Sequence, residues 1–321
     1  MKSLPASSTN PYGVHLAQNA KTIAIAQSLG AAYIRFACFL QKEDQGDLTD
    51  LCRQAHDAAL KIVLTIRYSI GDLHPTVPPR TAAEWADYHA RVDSVLGMVS
   101  ELGVVYVAVE DEQETGRYFT GTATEYLAML QAVADVARGY GVIVVDGGLT
   151  SRSVTNLTLA DLVDAANSRK TRTARIRAQA DAVAFARVTQ GTPPADFADV
   201  QRRVDAMADE LTVGRQFLAG YGAAGAFKCN WHGYDLPGWV IRKVAKYLAK
   251  ASNLPLMTNE LGQRSDDEHV TEDELRAARA AGCKPIIWYS MDKNDGTRGL
   301  AAPDGALRPT GQVFQRIASG A

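Results

Sequence analysis

The segment Pro255-Leu256-Met257-Thr258-Asn259-Glu260-Leu261-Gly262 reads as a short apolar strand that ends in a carboxylate and then a glycine. A second segment has the same grammar: Val104-Val105-Tyr106-Val107-Ala108-Val109 runs straight into Glu110-Asp111-Glu112-Gln113-Glu114. A Glu at the end of a buried strand stands at the mouth of its sheet, not on a solvated helix face. Two carboxylates presented in this way are the minimum equipment for proton donation and nucleophilic attack at an acetal carbon, the chemistry of glycosidic-bond cleavage.

The elements that must position them repeat from one end of the chain to the other. Short apolar runs fall near residues 12–16, 32–37, 61–67, 104–110, 142–147, 226–231, 254–260 and 285–290, each bounded by Gly, Pro or a polar turn. Their length and boundaries fit buried parallel strands. The stretches between them read as helices. Thr81-Ala82-Ala83-Glu84, Thr122-Ala123-Thr124-Glu125 and Thr271-Glu272-Asp273-Glu274 each read as a capping box, in which Thr and Glu satisfy the free amides of a first turn. Gly30, Gly103, Gly141 and Gly282 stand just before the next strand, where a left-handed helix terminus is expected. Eight strands alternating with helices predict an α/β fold, a (β/α)8 TIM barrel, more than a doubly wound sheet. No GxGxxG or GxxxxGK[ST] loop follows the first strand, which lowers the doubly wound alternative further.

One interval is too long for a single crossover helix. Between strands five and six, segments 157–166, 174–187 and 195–218 read as helical, with a turn-rich break at 189–194. We read 1–321 as one barrel domain with 150–225 as a helical insertion, an enlarged helix layer or else a lid or an interaction surface.

In such barrels the active site forms at the carboxyl ends of the strands. There the sequence places His15, Arg35, Asp111, Glu112, Asp146, Asn230, Trp231, His232, Tyr234, Glu260, Trp288, Tyr289 and Asp292. The order of these residues resembles that of the clan A retaining glycoside hydrolases, the barrel group of cellulases, mannanases, xylanases and β-glycosidases. Tyr106-Val107-Ala108-Val109-Glu110-Asp111-Glu112 is similar to the clan's strand-four segment, with Asp111 where Asn is usual. Thr258-Asn259-Glu260-Leu261-Gly262 is similar to its strand-seven Thr-Glu-x-Gly, with Asn259 inserted. Arg35 resembles the Arg after strand two, His232-Gly233-Tyr234 the His-x-Tyr after strand six, and Trp288 the strand-eight Trp that floors the sugar subsite.

The resemblance implies roles. Glu260 is the expected nucleophile, kept ionised by Arg35 and hydrogen-bonded by Tyr234. Glu112 is the expected acid/base. Asp111, His232, Trp288, His15 and Asn230 complete the expected substrate site, with Asp111 at the sugar 2-hydroxyl and His15 open between site and core. No cofactor and no metal are implied, and carbohydrate is the expected partner. Two alternatives stand beside this: a barrel in which Glu112, Asp146, His232 and Glu260 hold a divalent cation for sugar isomerisation or epimerisation, and a catalytically weak carbohydrate-binding barrel, suggested by Asp111.

The remaining features read as background. A net charge of −2 gives no reason to expect nucleic acid or an anionic membrane as partner, and no apolar run is long enough to span a bilayer. The run Arg169, Lys170, Arg172, Arg175, Arg177 reads as a solvated helix face, and Asn156-Leu157-Thr158 as a chance sequon. Cys38, Cys52, Cys229 and Cys283 lack metal-ligand spacing and read as reduced thiols, with Cys38, Cys229 and Cys283 at or near strands, where a free Cys behaves as a small buried hydrophobe. The start lacks a signal peptide's apolar core, so a cytoplasmic protein, or a secreted one without its leader, is expected. Glu110 and Glu114 read as solvated or surface-paired, His74 as part of a rigid loop, Trp85 and Trp239 as helix packing. Strand alternation puts Trp288 at the mouth and Trp231 and Tyr289 behind the barrel.

Overall fold

Eight parallel strands run in the order β5-β4-β3-β2-β1-β8-β7-β6 in a computed structural model that describes residues 10–15, 21–42, 46–290, 299–302 and 304–320. They are β1 Tyr12–His15, β2 Tyr33–Phe39, β3 Lys61–Arg67, β4 Val104–Val109, β5 Ile143–Asp146, β6 Cys229–Tyr234, β7 Leu256–Gly262 and β8 Ile286–Trp288. The open edges β5 and β6 approach each other: Phe227 N–H donates to Val144, His232 N–H to Leu149, and Leu149 bridges Trp231. The sheet is a nearly closed TIM barrel. Asp292, which the sequence placed at the mouth, lies outside the described residues.

Strand side chains alternate between two cores. Tyr33, Val63, Tyr106, Ala108, Val145, Met257 and Ile287, all from strands, pack inside the barrel. The intervening residues, among them Val14, Ile34, Phe36, Leu64, Val107, Trp231 and Trp288, pack outward against the helices. This parity decides what reaches the mouth: Arg35 follows Tyr33 by two, and Tyr289 follows Ile287 by two.

The barrel helices are α1 Thr22–Ser28, α2 Gly46–Asp57, α3 Ala82–Val99, α4 Ala123–Tyr140, α9 Gly238–Ser252, α10 Glu268–Ala280 and α11 Pro309–Ala318. Thr81 and Thr122 form the expected capping boxes. The third differs. Helix α10 begins a turn earlier, capped by Asp267; Thr271 is buried inside it and Glu274 accepts from Leu236 N–H at 3.0 Å. A buried Thr and Glu are recruited by packing where the sequence alone shows a capping pattern. Gly103 and Gly141, at φ of 85° and 68°, end their helical segments in the left-handed region, as expected.

Four helices stand between β5 and β6: α5 Ser151–Asn167, α6 Arg172–Thr189, α7 Phe197–Ala206 and α8 Ala208–Gly220. Helix α5 packs on α6, α8 and α9. The expected helix over 195–218 is broken in two at Met207. Among the described residues no helix is long and apolar enough to cross a membrane. The four cysteines are buried and unbridged.

Candidate active site

The ends of β2, β4, β6 and β7 bring Arg35, Asp111, Glu112, His232, Tyr234 and Glu260 together. The approach depends on an irregularity in β7. Asn230 is in register with Met257, and the next pair is His232 with Glu260, so β7 holds one residue more than β6 over that step. The same shift appears against β8, between Thr258 and Leu261. A β-bulge of this kind re-aims side chains. It accommodates Asn259, the residue that departs from the motif, and lets both Asn259 and Glu260 engage the mouth.

Arg35 lies beneath the mouth with its side chain 3% exposed. Its Nε donates to Thr65 Oγ1 at 2.8 Å, one Nη to Glu260 Oε1 and to the Asn259 carbonyl, and the other Nη to Asp111 Oδ1 at 3.0 Å. The Tyr234 hydroxyl donates to the other Glu260 oxygen, Oε2. Burial alone would raise the Glu260 carboxyl. The charges of His232, Arg35 and His15, with the Tyr234 hydrogen bond, outweigh it and hold the group well below its ordinary value. Glu260 is therefore a carboxylate, with both oxygens fixed.

His232 Nδ1 lies 3.1 Å from Glu112 Oε1 and 3.6 Å from Glu260 Oε2, and Nε2 lies 2.9 Å from Asn259 Oδ1. Burial opposes charge on the ring. Glu260, the hydrogen bond to Glu112 and the Asp111 charge reverse that and push it up to about 10. As an imidazolium it donates from both nitrogens. Because one nitrogen is that close to both carboxylates, their nearest oxygens lie within about 7 Å of each other, which accommodates the about 5–5.5 Å of a retaining pair. Gly148 makes room for the ring: at φ 94°, any Cβ there would run into His232 Nε2.

Asp111 is pushed up to about 6, first by burial and then by Glu260, with Arg35 and His232 pulling the other way. Asn230 lies a layer deeper than the two Glu residues. Its N–H donates to Asp146 Oδ2 at 2.8 Å and its Oδ1 accepts from Asn259 N–H at 2.9 Å. It is a support for the β7 bulge, reached through backbone. Asp146 accepts Gly148 N–H on its other oxygen, at 3.0 Å. Both oxygens of Asp146 thus hold backbone amides, and Glu112, Asp146, His232 and Glu260, the cation set of the alternative reading, are not brought together as one group. The described residues instead bring one ligand atom each of Asp111, His232 and Glu260 within 4.8 Å of one another.

Two aromatic placements are corrected. Trp288 is 1% exposed and packs in the outer core, facing the helices. Tyr289 faces the mouth, stacked on His15 at 5.1 Å and edge-on to Tyr234 at 5.8 Å. Ile287 enters the barrel interior, and that parity turns Trp288 outward and Tyr289 to the mouth. Trp231 does pack outward, as expected.

Glu110 is also corrected. It is wholly buried, with φ at 65° turning its side chain beneath the loop that follows β3. There Oε1 accepts Tyr68 N–H at 2.8 Å and Oε2 the Thr76 hydroxyl at 2.6 Å. Burial pushes it up to about 7, against these two hydrogen bonds. Glu114 accepts Thr150 N–H at 2.7 Å, tying the β4 loop to the start of α5. Sequence reasoning missed Thr65 and Tyr289 as members of the mouth. Thr65 reaches Arg35 through the register of β2 on β3, which pairs Arg35 with Val63 and leaves Thr65 two residues further along, a relation that is not visible in the sequence.

No protein-family profile matches the chain, and no curated protein does. Solved structures with the same fold do. An endo-β-1,3-glucanase of glycoside hydrolase family 128, subgroup I, from Amycolatopsis mediterranei, crystallised as a variant with laminaripentaose, is 9% identical; the match covers 95% of this chain and 98% of that one, with a TM-score of 0.55. A β-mannanase from Streptomyces thermolilacinus, with mannohexaose, is 15% identical over 98% of this chain and 89% of its own, at 0.53. A fungal β-1,4-galactanase is 12% identical over 91% and 90%, at 0.57. At these identities the likeness is one of fold.

Proposed function

We propose that this chain is a retaining β-glycoside hydrolase, with Glu260 as nucleophile and Glu112 as acid/base. The observation that carries the reading is the paired setting of the two carboxylates. Glu260 is locked as an anion by Arg35 and Tyr234, and one imidazolium, His232, reaches both it and Glu112. The fold neighbours are glucan-, mannan- and galactan-cleaving proteins by description, which agrees with a carbohydrate substrate.

In the first step Glu260 attacks the anomeric carbon as its bond to the leaving oxygen breaks, and Glu112 gives that oxygen a proton. In the second, Glu112 takes a proton from water, which displaces Glu260. Two inversions give net retention. Fixing both Glu260 oxygens beforehand removes reorganisation from the step. In this mechanism Asp111 accepts a hydrogen bond from the sugar 2-hydroxyl. Tyr289 and His15 supply the stacked surface beside it.

A screen of nitrophenyl β-glycosides and β-glycans, followed by NMR of the first-formed anomer, tests the reading. The expected product is the β anomer; an α product overturns retention. The cluster of Asp111, His232 and Glu260 favours a second reading, a divalent-cation barrel, although Arg35 already donates to two of the three. Activity on a free sugar that is lost on chelation and restored by added cation would replace the first reading with the second.

A further inference from the structure

We infer that the helices between β5 and β6 build a cleft for a saccharide leaving group, so that the chain cuts sugar–sugar bonds; this deepens the proposed function and rests on Glu112 as proton donor. A cavity of about 580 Å³ starts at Glu112 and Tyr234 and runs along α5, the end of α6 and the α7–α8 junction. Its volume falls within the roughly 300–1,000 Å³ usual for ligand sites. Arg35, Asp111 and His15, which crowd the nucleophile, do not line it. Glu260 itself does not line it either, whereas Glu112 does, which sets the cleft on the proton donor's side, that of the departing oxygen.

Its lining is matched to hydroxyl groups. Ser151, Arg152, Asn156, Gln190, Asp235 and Arg264 supply donors and acceptors, Val188, Met207 and Leu236 supply apolar contact, and Tyr234 is the one aromatic ring among the lining residues. An aryl or alkyl group would cover the less exposed Ser151, Asn156 and Gln190 without offering them hydrogen bonds. The two guanidinium groups are balanced: Arg152 lies 3.5 Å from Glu210 and Arg264 3.5 Å from Asp235. A neutral sugar fits that charge pattern better than an acidic one.

The cleft is tied to the chemistry. Ser151 Oγ accepts Tyr234 N–H at 2.9 Å and donates to the His232 carbonyl at 3.2 Å. Gln190 Nε2 donates to Asn156 Oδ1 at 3.1 Å, joining the end of α6 to α5 across the cavity wall. A sugar seated there is held in register with the proton donor.

The test compares a β-linked tetrasaccharide with the nitrophenyl β-glycoside of the same sugar, in full-length wild type, Arg152→Ala and Gln190→Ala. The expected result is a kcat/KM loss on the tetrasaccharide about 10-fold larger than on the nitrophenyl glycoside, the size of one or two lost hydrogen bonds. Equal losses on both substrates, or none on the tetrasaccharide, overturn the inference. Calorimetry of tetrasaccharide binding to Glu260→Gln, with and without Gln190→Ala, separates it from the hydrolase reading. Weaker binding with Gln190→Ala supports the cleft even where wild type cleaves nothing, an outcome that sinks the hydrolase reading alone. Unchanged binding overturns the cleft while hydrolysis can stand.

Discussion

Arg35 on β2 and Glu260 on β7 meet as a buried ion pair across the mouth of the barrel. A buried pair is a weak source of stability, because desolvation cancels much of the attraction. Its use here is to fix charge and orientation. One guanidinium serves Glu260, Asp111, the Asn259 carbonyl and Thr65 together, which only a planar, multiply donating group can do.

Arg35→Lys is therefore expected to lower kcat/KM by about 100-fold or more, in the range seen when a charge-stabilising donor is removed. An ammonium reaches one or two of the four acceptors and leaves Asp111 or Glu260 without its partner. Steady-state kinetics on a nitrophenyl β-glycoside read this directly. Activity like that of wild type would reject the role given to Arg35.

Trp288 and Tyr289 are expected to separate stability from function. Trp288→Ala opens a cavity in the outer core and should cost about 3–5 kcal/mol in denaturant unfolding. Tyr289→Ala removes a half-buried ring at the mouth, beside His15 and Tyr234, and should weaken substrate binding with a smaller loss of stability. The reverse pattern would restore Trp288 to the sugar site.

These two residues also show how far the sequence was legible. Strand periodicity and glycine punctuation located all eight strands to within a few residues, because buried parallel strands are short apolar runs whatever their partners. Glu112, Glu260, Arg35, His232 and Tyr234 were legible as strand-end polar residues in a fixed order. Facing was not. Parity in β8 depends on which residue enters the barrel interior, a tertiary fact. In β7 alternation fails at the bulge, so Asn259 and Glu260 both engage the mouth. Glu110 looked solvated because nothing local shows that Tyr68 and Thr76, more than thirty residues earlier, close over it.

Glu110 gives a prediction about pH. Its folded-state value, about 7, lies above the ordinary 4.5. The unfolded chain therefore releases this proton first as pH rises, and the fold loses stability between about pH 4.5 and 7. Glu110→Gln keeps the neutral form at every pH. Relative to that variant, wild type should lose roughly 2–3 kcal/mol across the window, read from urea unfolding at pH 4.5 and 7.5. A constant difference between the two proteins across that range would show that Glu110 keeps one protonation state throughout.

The two carboxylates themselves are tested as a unit. Glu260→Ala should abolish hydrolysis of every substrate, because no glycosyl-enzyme can form. Glu112→Ala should be selective. A nitrophenolate leaves without a proton, so the glycosyl-enzyme still forms, and it accumulates because water then lacks a general base. Azide needs no base. Added to Glu112→Ala it should restore turnover and give the β-glycosyl azide, by a second inversion at a carbon already inverted by Glu260. Added to Glu260→Ala it should occupy the vacated face, attack once and give the α-azide. NMR of the anomeric proton distinguishes the two products. If the variants give the opposite anomers, Glu112 is the nucleophile and Glu260 the acid/base, and the anion locked by Arg35 and Tyr234 is then the group that must gain and lose the proton.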